Sequence, residues 1–288
     1  MNTLSEKQNT PNLLSLLKLQ RYTYNQVSKL AVISFILSVI LPIILGLIEL
    51  IQIPDNAVLY INFLGALCVF ACLWLSHIIK SKKEQAAKIQ YFFDTELFGL
   101  KKNSFICNET LNELLAKSKK EAIQKLQGLE NWYSIKDNLN NNDAILSCQW
   151  QNIKWDKKLR KIYLFCIIAL CLVSVFVILS IAILKNLLFS ILWTYIFLLM
   201  PIVTYCTIFM STTIDNLKQQ EELNSIFKTY KNKKKPSTTD LICIEEKIFH
   251  YRKSLVKIPN WFFNLFRKRL QKEADLYSEV ESENYSKK

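Results

Sequence analysis

The chain has 288 residues, of which 51% are hydrophobic and only four are glycine, and it carries a formal net charge of +13. This composition disfavours a disordered chain, a disulfide-rich secreted mini-protein and a β-rich sandwich. A soluble domain would not combine so many apolar residues with so much positive charge. The two totals fit together if the apolar residues form membrane-spanning helices and the basic residues lie on one side of the membrane.

Four apolar runs of 23 or 24 residues are long enough to cross a bilayer, since a helix needs about 20 apolar residues to span ~30 Å of hydrocarbon. They are Ala31–Ile53, Ala57–Ile79, Ile162–Leu184 and Leu187–Met210. Only residues 54–56 separate the first two runs, and only residues 185–186 separate the last two. The sequence therefore predicts an all-α integral membrane protein whose four transmembrane helices form two hairpins.

This arrangement places both chain ends and the central segment on one side of the membrane. That side holds 36 of the 37 lysines and arginines, all but Lys185, and cytoplasmic loops carry the excess of such residues. We therefore predict a multi-pass protein of the inner or plasma membrane with cytoplasmic N and C termini. The predicted units are a cytosolic N-terminal amphipathic helix (1–30), the first hairpin (31–79), a cytosolic helical region (80–161), the second hairpin (162–210) and a cytosolic C-terminal helical region (211–288).

Apolar periodicity predicts helices in the cytosolic segments as well. The helix of residues 11–30 runs into the first span, and residues 80–93 and 215–230 extend the second and fourth spans. Further helices are predicted over 109–127, 240–255 and 260–280, with a linker at 231–239.

The residues that would indicate catalysis are missing from this sequence. His77 and His250 are the only histidines, no cysteine pair has metal-ligand spacing, and the four glycines are scattered singly. We therefore predict that the chain is not an enzyme and has no catalytic residue, metal or cofactor. Coupled transport is also disfavoured, because the ionisable residues Glu49 and His77 lie near membrane faces. Since topology accounts for the basic residues, the predicted partner is the lipid bilayer and not DNA or RNA.

Hydroxyl side chains recur along one side of the fourth span, at Ser190, Thr194, Thr204 and Ser211. Small and weakly polar residues commonly pack transmembrane helices against each other. In an oligomer the same side chains could line a water-filled path for ions. The sequence leaves both interpretations open, and these four residues are candidates for lining a pore.

Several short stretches beside the predicted membrane surface mix aromatic rings with charged or amide groups. They are Gln20-Arg21 with Tyr24, Phe93-Asp94-Thr95-Glu96-Leu97-Phe98-Gly99, Trp132-Tyr133, the segment from Cys148-Gln149 to Trp155-Asp156 and Leu159-Arg160, and Arg252 with Ile258-Pro259-Asn260-Trp261-Phe262. Together with the order of the spans, they resemble the SMODS-associating four-transmembrane effector family, the pore-forming effectors of bacterial antiphage loci. The resemblance runs from about Gln8 to Glu273.

The resemblance implies a homo-oligomeric effector in the bacterial inner membrane, acting in a CBASS-like antiphage system. In such a system a partner synthase makes a cyclic oligonucleotide on infection, and the effector then permeabilises the membrane and causes abortive infection. Guanidinium groups would bind the phosphates of this ligand, and aromatic rings would stack on its bases. The candidate ligand-binding residues are Arg21, Tyr24, Asp94, Trp132, Trp155, Arg160, Arg252 and Trp261.

A simpler interpretation exists for each of these residues and for the whole chain. Aromatic rings and arginines at helix ends anchor many membrane proteins at the headgroup level. Asp94 could serve as the ion-pair partner of one of the arginines. For the chain as a whole, the alternative is a constitutive membrane anchor or sensor that binds a soluble cytosolic partner without forming a pore.

Overall fold

The computed structural model describes residues 3–48, 55–135, 140–154, 157–184, 189–233 and 235–256, together with positions 258, 262, 265 and 266. These residues form helices and short connections, and none of them belongs to a strand. This confirms the predicted all-α class.

The first membrane helix is built from consecutive segments. Helix α1 (Thr3–Lys7) precedes α2 (Pro11–Phe35), which begins with a proline because the first turn of a helix leaves its amide hydrogens unpaired. A π-helical turn (Ile36–Ile40) then leads into α3 (Leu41–Ile48). Pro42 lies directly after this turn, so the hydrogen-bond pattern widens next to the position where proline removes a backbone donor.

Helix α4 (Asp55–Phe98) continues without a break for 44 residues. At 1.5 Å per residue it is about 66 Å long, roughly twice the ~30 Å thickness of the hydrocarbon layer. One end of α4 is therefore a membrane span, and the other extends well outside the membrane.

Three shorter helices follow between the two pairs of spans: α5 (Leu111–Ser118), α6 (Glu121–Gln124) and α7 (Asn141–Lys154). The prediction of one helix over 109–127 is wrong, because α5 and α6 are separate. Leu114 and Ile123 are nine residues apart in sequence and would lie about 180° apart around one continuous helix. The break between the two helices lets both side chains pack in the same core.

The second pair of spans consists of α8 (Lys157–Leu184) and α9 (Phe189–Lys233). Helix α9 is 45 residues long and, like α4, extends far beyond the length of one span. Helix α10 (Thr238–Ser254) follows, and a capping box between Ser237 and Asp240 fixes its first turn.

Four helical stretches are long and apolar enough to cross a membrane: Pro11–Ile48, Leu59–Phe98, Leu159–Val177 and Leu198–Tyr230. Each overlaps one of the four predicted spans, which confirms their number. The protein is thus a multi-pass membrane protein by the length and composition of its helices.

The helices that contain the first two spans pack antiparallel, so that residues early in one helix contact residues late in the other. Gln20 donates to Gln90 at 3.0 Å, and Leu45 packs in one cluster with Ile61. This order is the one that a hairpin requires. The connecting turns lie outside the described residues, so the hairpins and the side of the membrane that holds the termini stay predictions.

One apolar core, which we call the extramembrane core, joins the N-terminal, central and C-terminal segments outside the spans. Among its buried members are Leu16 of α2, Phe93 of α4, Leu114 of α5, Ile123 of α6, Ile145 of α7 and Phe249 of α10. Burying a large apolar side chain contributes about 1.5–3 kcal/mol. Segments far apart in sequence therefore form one folded unit at the end of the spans.

Replacing Phe93 by alanine is expected to destabilise this core by about 3–5 kcal/mol, the usual effect of removing a buried phenylalanine. Phe93 is fully buried, whereas Phe105 is 98% exposed, so Phe105→Ala is the matched control. Circular dichroism melting of the full chain in detergent would measure both variants. Equal melting temperatures for the two would contradict the placement of Phe93.

Candidate functional site

A group of buried polar side chains lies within the extramembrane core. Its members are Asp94 of α4, Tyr133 of the connection before α7, Gln149 of α7, and Glu245 and Arg252 of α10. We call these five residues the buried ion-pair cluster. They come from three separate parts of the chain, so the cluster forms only when those parts fold together.

Arg252 and Asp94 form the centre of the cluster. Nη1 of Arg252 lies 2.6 Å from Oδ2 of Asp94, and the two side chains are only 6% and 0% exposed. Tyr133 donates from its hydroxyl to Oδ1 of Asp94 at 2.6 Å, so both carboxylate oxygens have a close donor. Such close geometry is needed to offset the cost of taking both charges out of water.

A second carboxyl group shares the same guanidinium. Nη1 of Arg252 lies 3.5 Å from Oε1 of Glu245, and Gln149 donates to Oε2 of Glu245 at 3.0 Å. Burial, reinforced by the negative charge of Asp94, raises the pKa of Glu245 to about 8. Glu245 is therefore mostly protonated at neutral pH, where it can share its proton with Asp94 in a hydrogen bond.

The neighbours of Arg252 keep it charged. Burial alone lowers the pKa of Arg252, but the charge of Asp94, with Tyr133 and Glu245 beside it, more than reverses this effect, so that the pKa lies above its ordinary value. Burial and the charge of Asp94 raise the pKa of Tyr133 well above its ordinary value. Tyr133 is therefore a neutral donor in the cluster at physiological pH.

Gln8 connects the N-terminal segment to this cluster. Its side-chain amide donates to the backbone oxygen of Tyr133 at 3.3 Å, and the backbone amide of Tyr133 donates to its side-chain oxygen at 2.9 Å. Gln8 is itself buried. This reciprocal pair holds the backbone that directs the Tyr133 hydroxyl toward Asp94.

A second polar group joins α8 and α9 to the end of α10. Arg160 is buried and donates from Nη1 to the backbone oxygen of Val256 at 2.6 Å. Asn216 donates to the Ser254 hydroxyl at 2.7 Å and accepts from the backbone amide of Val256 at 2.8 Å. These bonds hold the chain after α10 against the two membrane helices.

A cavity of about 1000 Å³ lies between α2, α4, α8, α9 and α10. Apolar side chains such as Phe35 and Ile167 form much of its wall, and Lys80, Lys83 and Lys253 line it as well. Small-molecule sites in proteins typically enclose about 300–1000 Å³ and combine an apolar wall with a few polar groups. Among the described residues, this cavity is the candidate site for a small ligand.

A family model described as the SMODS-associating 4TM effector domain matches residues 2–279, nearly the whole chain. The chain belongs to this family. A relative in Bacillus cereus (strain VD146), named a probable CBASS effector molecule, is 22% identical over 273 residues, which cover 90% of this chain and 91% of the relative. No solved structure matches the chain.

Four of the predicted ligand residues of this 4TM effector come close together. Asp94 and Arg252 pair directly, and Tyr24 is close enough to both of them and to Arg160 for electrostatic interaction. Asp94, Arg160 and Arg252 are buried and make internal contacts. The structure shows that Asp94 is the ion-pair partner of Arg252. Binding of a ligand by these four residues stays a prediction.

The other four predicted ligand residues do not join this group among the described residues. Arg21 donates from Nη1 to the backbone oxygen of Gln127 at 3.1 Å, in an exposed hydrogen bond. Trp132 is half-buried against the extramembrane core. Trp155 and Trp261 lie outside the described residues.

The predicted pore-lining residues are all on α9. Ser211 is exposed and lines the cavity, and its hydroxyl donates to the backbone oxygen of Ile208 at 3.1 Å. Thr204 is half-buried. The side chains of Ser190 and Thr194 lie outside the described part of the structure, and a water-lined path along these four residues stays a prediction.

Sequence reasoning missed Glu245 and Gln149 as members of the cluster. A signal was available in α10, where the buried stripe that contains Leu241 and Ile248 also contains Glu245 and Arg252. A charged residue on the buried face of an amphipathic helix requires a buried partner. The identity of the partner, however, depends on contacts between distant segments.

Replacing Arg252 by alanine is expected to destabilise the effector by about 3–5 kcal/mol, because Asp94 would keep a buried charge without its counter-charge. Lys253→Ala is the matched control. Lys253 pairs with Glu84 at 2.9 Å, but both side chains are partly exposed, and such surface pairs contribute about 0–1 kcal/mol. Thermal melting of both full-length variants in detergent tests this, and similar losses for the two would contradict the special role of Arg252.

The pKa of Glu245 predicts a pH dependence of stability. Between the ordinary pKa of 4.5 and the folded value of about 8, the folded protein retains a proton that the unfolded chain has lost. This contribution to the free energy of unfolding is therefore complete below pH 4.5 and is lost as pH rises through about 8. The slope is at most about 1.4 kcal/mol per pH unit.

Melting temperatures from about pH 5 to pH 9 would measure this loss. Glu245→Gln retains a neutral side chain of the same shape, so its melting temperature should fall less over this range than that of the wild type. Glu246→Gln is the control, because Glu246 is only partly buried and accepts its hydrogen bond from Asn103 at 2.9 Å on an oxygen that glutamine also has. Identical pH profiles for all three proteins would refute the assignment of a raised pKa to Glu245.

Proposed function

We propose that this chain is the membrane-permeabilising effector of a bacterial CBASS antiphage system. A cyclic oligonucleotide made by a partner synthase during infection binds the cytosolic part, and the protein then opens a path across the inner membrane. Membership of the 4TM effector family and the name of the Bacillus cereus relative support the role in defence. The effector acts on the membrane itself, without catalysis and without a cofactor.

The observation that carries this proposal is the continuity of α4 between its span and the extramembrane core. Helix α4 contributes a span at one end and Asp94 of the buried ion-pair cluster at the other, within 44 uninterrupted residues. A helix transmits a displacement along its axis because each turn is hydrogen-bonded to the next. A ligand that shifts the extramembrane core would therefore move this span directly.

A conducting path would form between copies of the chain. In the described part of a single protomer, the packed faces of the spans are mostly apolar: Cys72, Ile167, Leu198 and Ile202 are all buried, with single hydroxyls such as that of Ser174 among them. Such a face offers no continuous polar lining for ions. Large apolar side chains on the outer faces, including Phe70 and Phe176, are exposed and available to lipid or to another subunit. We therefore propose a homo-oligomer as the active state.

Among the candidate ligand residues, accessibility favours Arg21, Tyr24 and Trp132, which are only partly buried. Asp94 and Arg252 already satisfy each other's charge in the absence of a ligand. We propose that the partly buried residues contact the cyclic oligonucleotide, and that Asp94 and Arg252 hold the core that carries them. The N and C termini would then lie in the cytosol, as the distribution of lysine and arginine predicts.

Co-expression with the cognate synthase tests this function in cells, with a membrane-potential dye as the readout. The potential should collapse only when the effector and an active synthase are both present, and a catalytically inactive synthase is the matched control. Purified protein in liposomes should likewise release a trapped ion only after the cyclic oligonucleotide is added.

An intact potential, with the effector present at normal levels and the synthase active, would contradict permeabilisation. If the purified protein then still bound the cyclic oligonucleotide by calorimetry, the alternative of a membrane-anchored sensor without pore activity would replace the present proposal.

A further inference from the structure

Lys83 is a buried lysine that has no partner among the described residues. It is 8% exposed, and no described residue forms a hydrogen bond or an ion pair with it. Burial of a charged group without a counter-charge is costly, so lysines are rarely buried unless they are paired. In this respect Lys83 differs from Arg252, which has two carboxyl groups beside it.

Lys83 lines the cavity between the membrane helices, and the charge around it is mainly positive. Lys80 and Lys253 line the same cavity, although Lys253 is paired with Glu84, and Asp215 is the one carboxylate among the described lining residues. Arg160 lies near enough to Lys83 to repel it electrostatically. The polar end of the cavity therefore favours an anion.

The rest of the cavity is mostly apolar and has the length of one membrane leaflet. On α4 the lining runs from Cys72 through Ile79 to Lys83, which is about 16 Å along the helix axis. Half of the ~30 Å hydrocarbon layer is about 15 Å. A ligand whose charged group met Lys83 would therefore place its apolar part at the depth of lipid chains.

Three of the hydroxyl groups that line the cavity already donate within their own helices. Ser76 donates to the backbone oxygen of Leu73, and Ser211 and Thr212 both donate to that of Ile208. Because most of the lining is apolar, the cavity favours a ligand with one anionic group and a long apolar part over a soluble nucleotide.

We propose that this cavity binds an anionic phospholipid of the adjoining leaflet, with its phosphate on Lys83 and an acyl chain along the apolar wall. The phosphate would supply the counter-charge that the described residues do not. Ammonium groups bind phosphates through charge-assisted hydrogen bonds, which are stronger in a site shielded from water. The proposal concerns a lipid site and does not depend on the pore function.

Phosphatidylglycerol titrated onto the full-length protein in detergent, with bound lipid counted by native mass spectrometry, tests this site. We expect Lys83→Met to bind about tenfold or more weakly than the wild type, because one charged hydrogen bond is lost. Lys82→Met is the matched control, since Lys82 is the adjacent residue and does not line the cavity. Equal losses for the two variants would indicate general surface attraction and would overturn the proposal.

Two measurements on the wild type keep the test independent of the folding of the variants. Affinity should rise with acyl-chain length, so a short-chain phosphatidylglycerol that binds as tightly as the long-chain lipid would refute the apolar wall. Inorganic phosphate and a cyclic dinucleotide should displace the lipid poorly at equal concentration. If a low concentration of inorganic phosphate or of the cyclic dinucleotide displaced the lipid, the cavity would be a site for a soluble phosphate. The lipid assignment would then be wrong.

Discussion

The ion pair between Arg252 and Asp94 connects parts of the chain that are 158 residues apart. Asp94 belongs to the helix that forms the second span, and Arg252 lies on the helix that follows the fourth span. Both charges are removed from water, so neither can leave the other unless a new counter-charge or water reaches it. The pair therefore holds the two halves of the protein together in a single arrangement. Any opening of the core must break this contact or carry it along intact.

The same contact explains why the segments outside the spans behave as one body. Tyr133 reaches Asp94 from the central segment, and Gln8 holds the backbone of Tyr133 from the N-terminal segment. The apolar core surrounds these groups with fully buried side chains from six helices. Packed interiors of this kind switch between discrete arrangements and do not deform gradually. Since α4 enters this core without a break, a switch there changes the position of its span.

The number of spans and the helical class could be predicted from the sequence, because apolar length depends only on local composition. The ends of helices were less predictable. The break between α5 and α6 exists because Leu114 and Ile123 must face the same core, and that core is built mostly by other segments. Asp94 and Arg252 were recognised as notable residues, but their pairing was one alternative among several. Glu245 and Gln149 were missed, since their partners come from distant helices. Trp155 and Trp261 cannot be compared, because they lie outside the described residues.

Two positive groups near the ends of the spans differ in how their charge is satisfied. Arg252 is neutralised by side chains of the same chain, so the cluster that it forms can be complete before any ligand or lipid is present. Lys83 is also buried, yet no described residue provides it with a counter-charge. Both Lys83 and Asp94 are on α4, eleven residues apart, or about 16 Å along the axis. An anion bound at Lys83 would therefore act on the same rigid helix that the ion pair holds in place. The local lipid composition could in this way bias the position of α4 without any change in the extramembrane contacts.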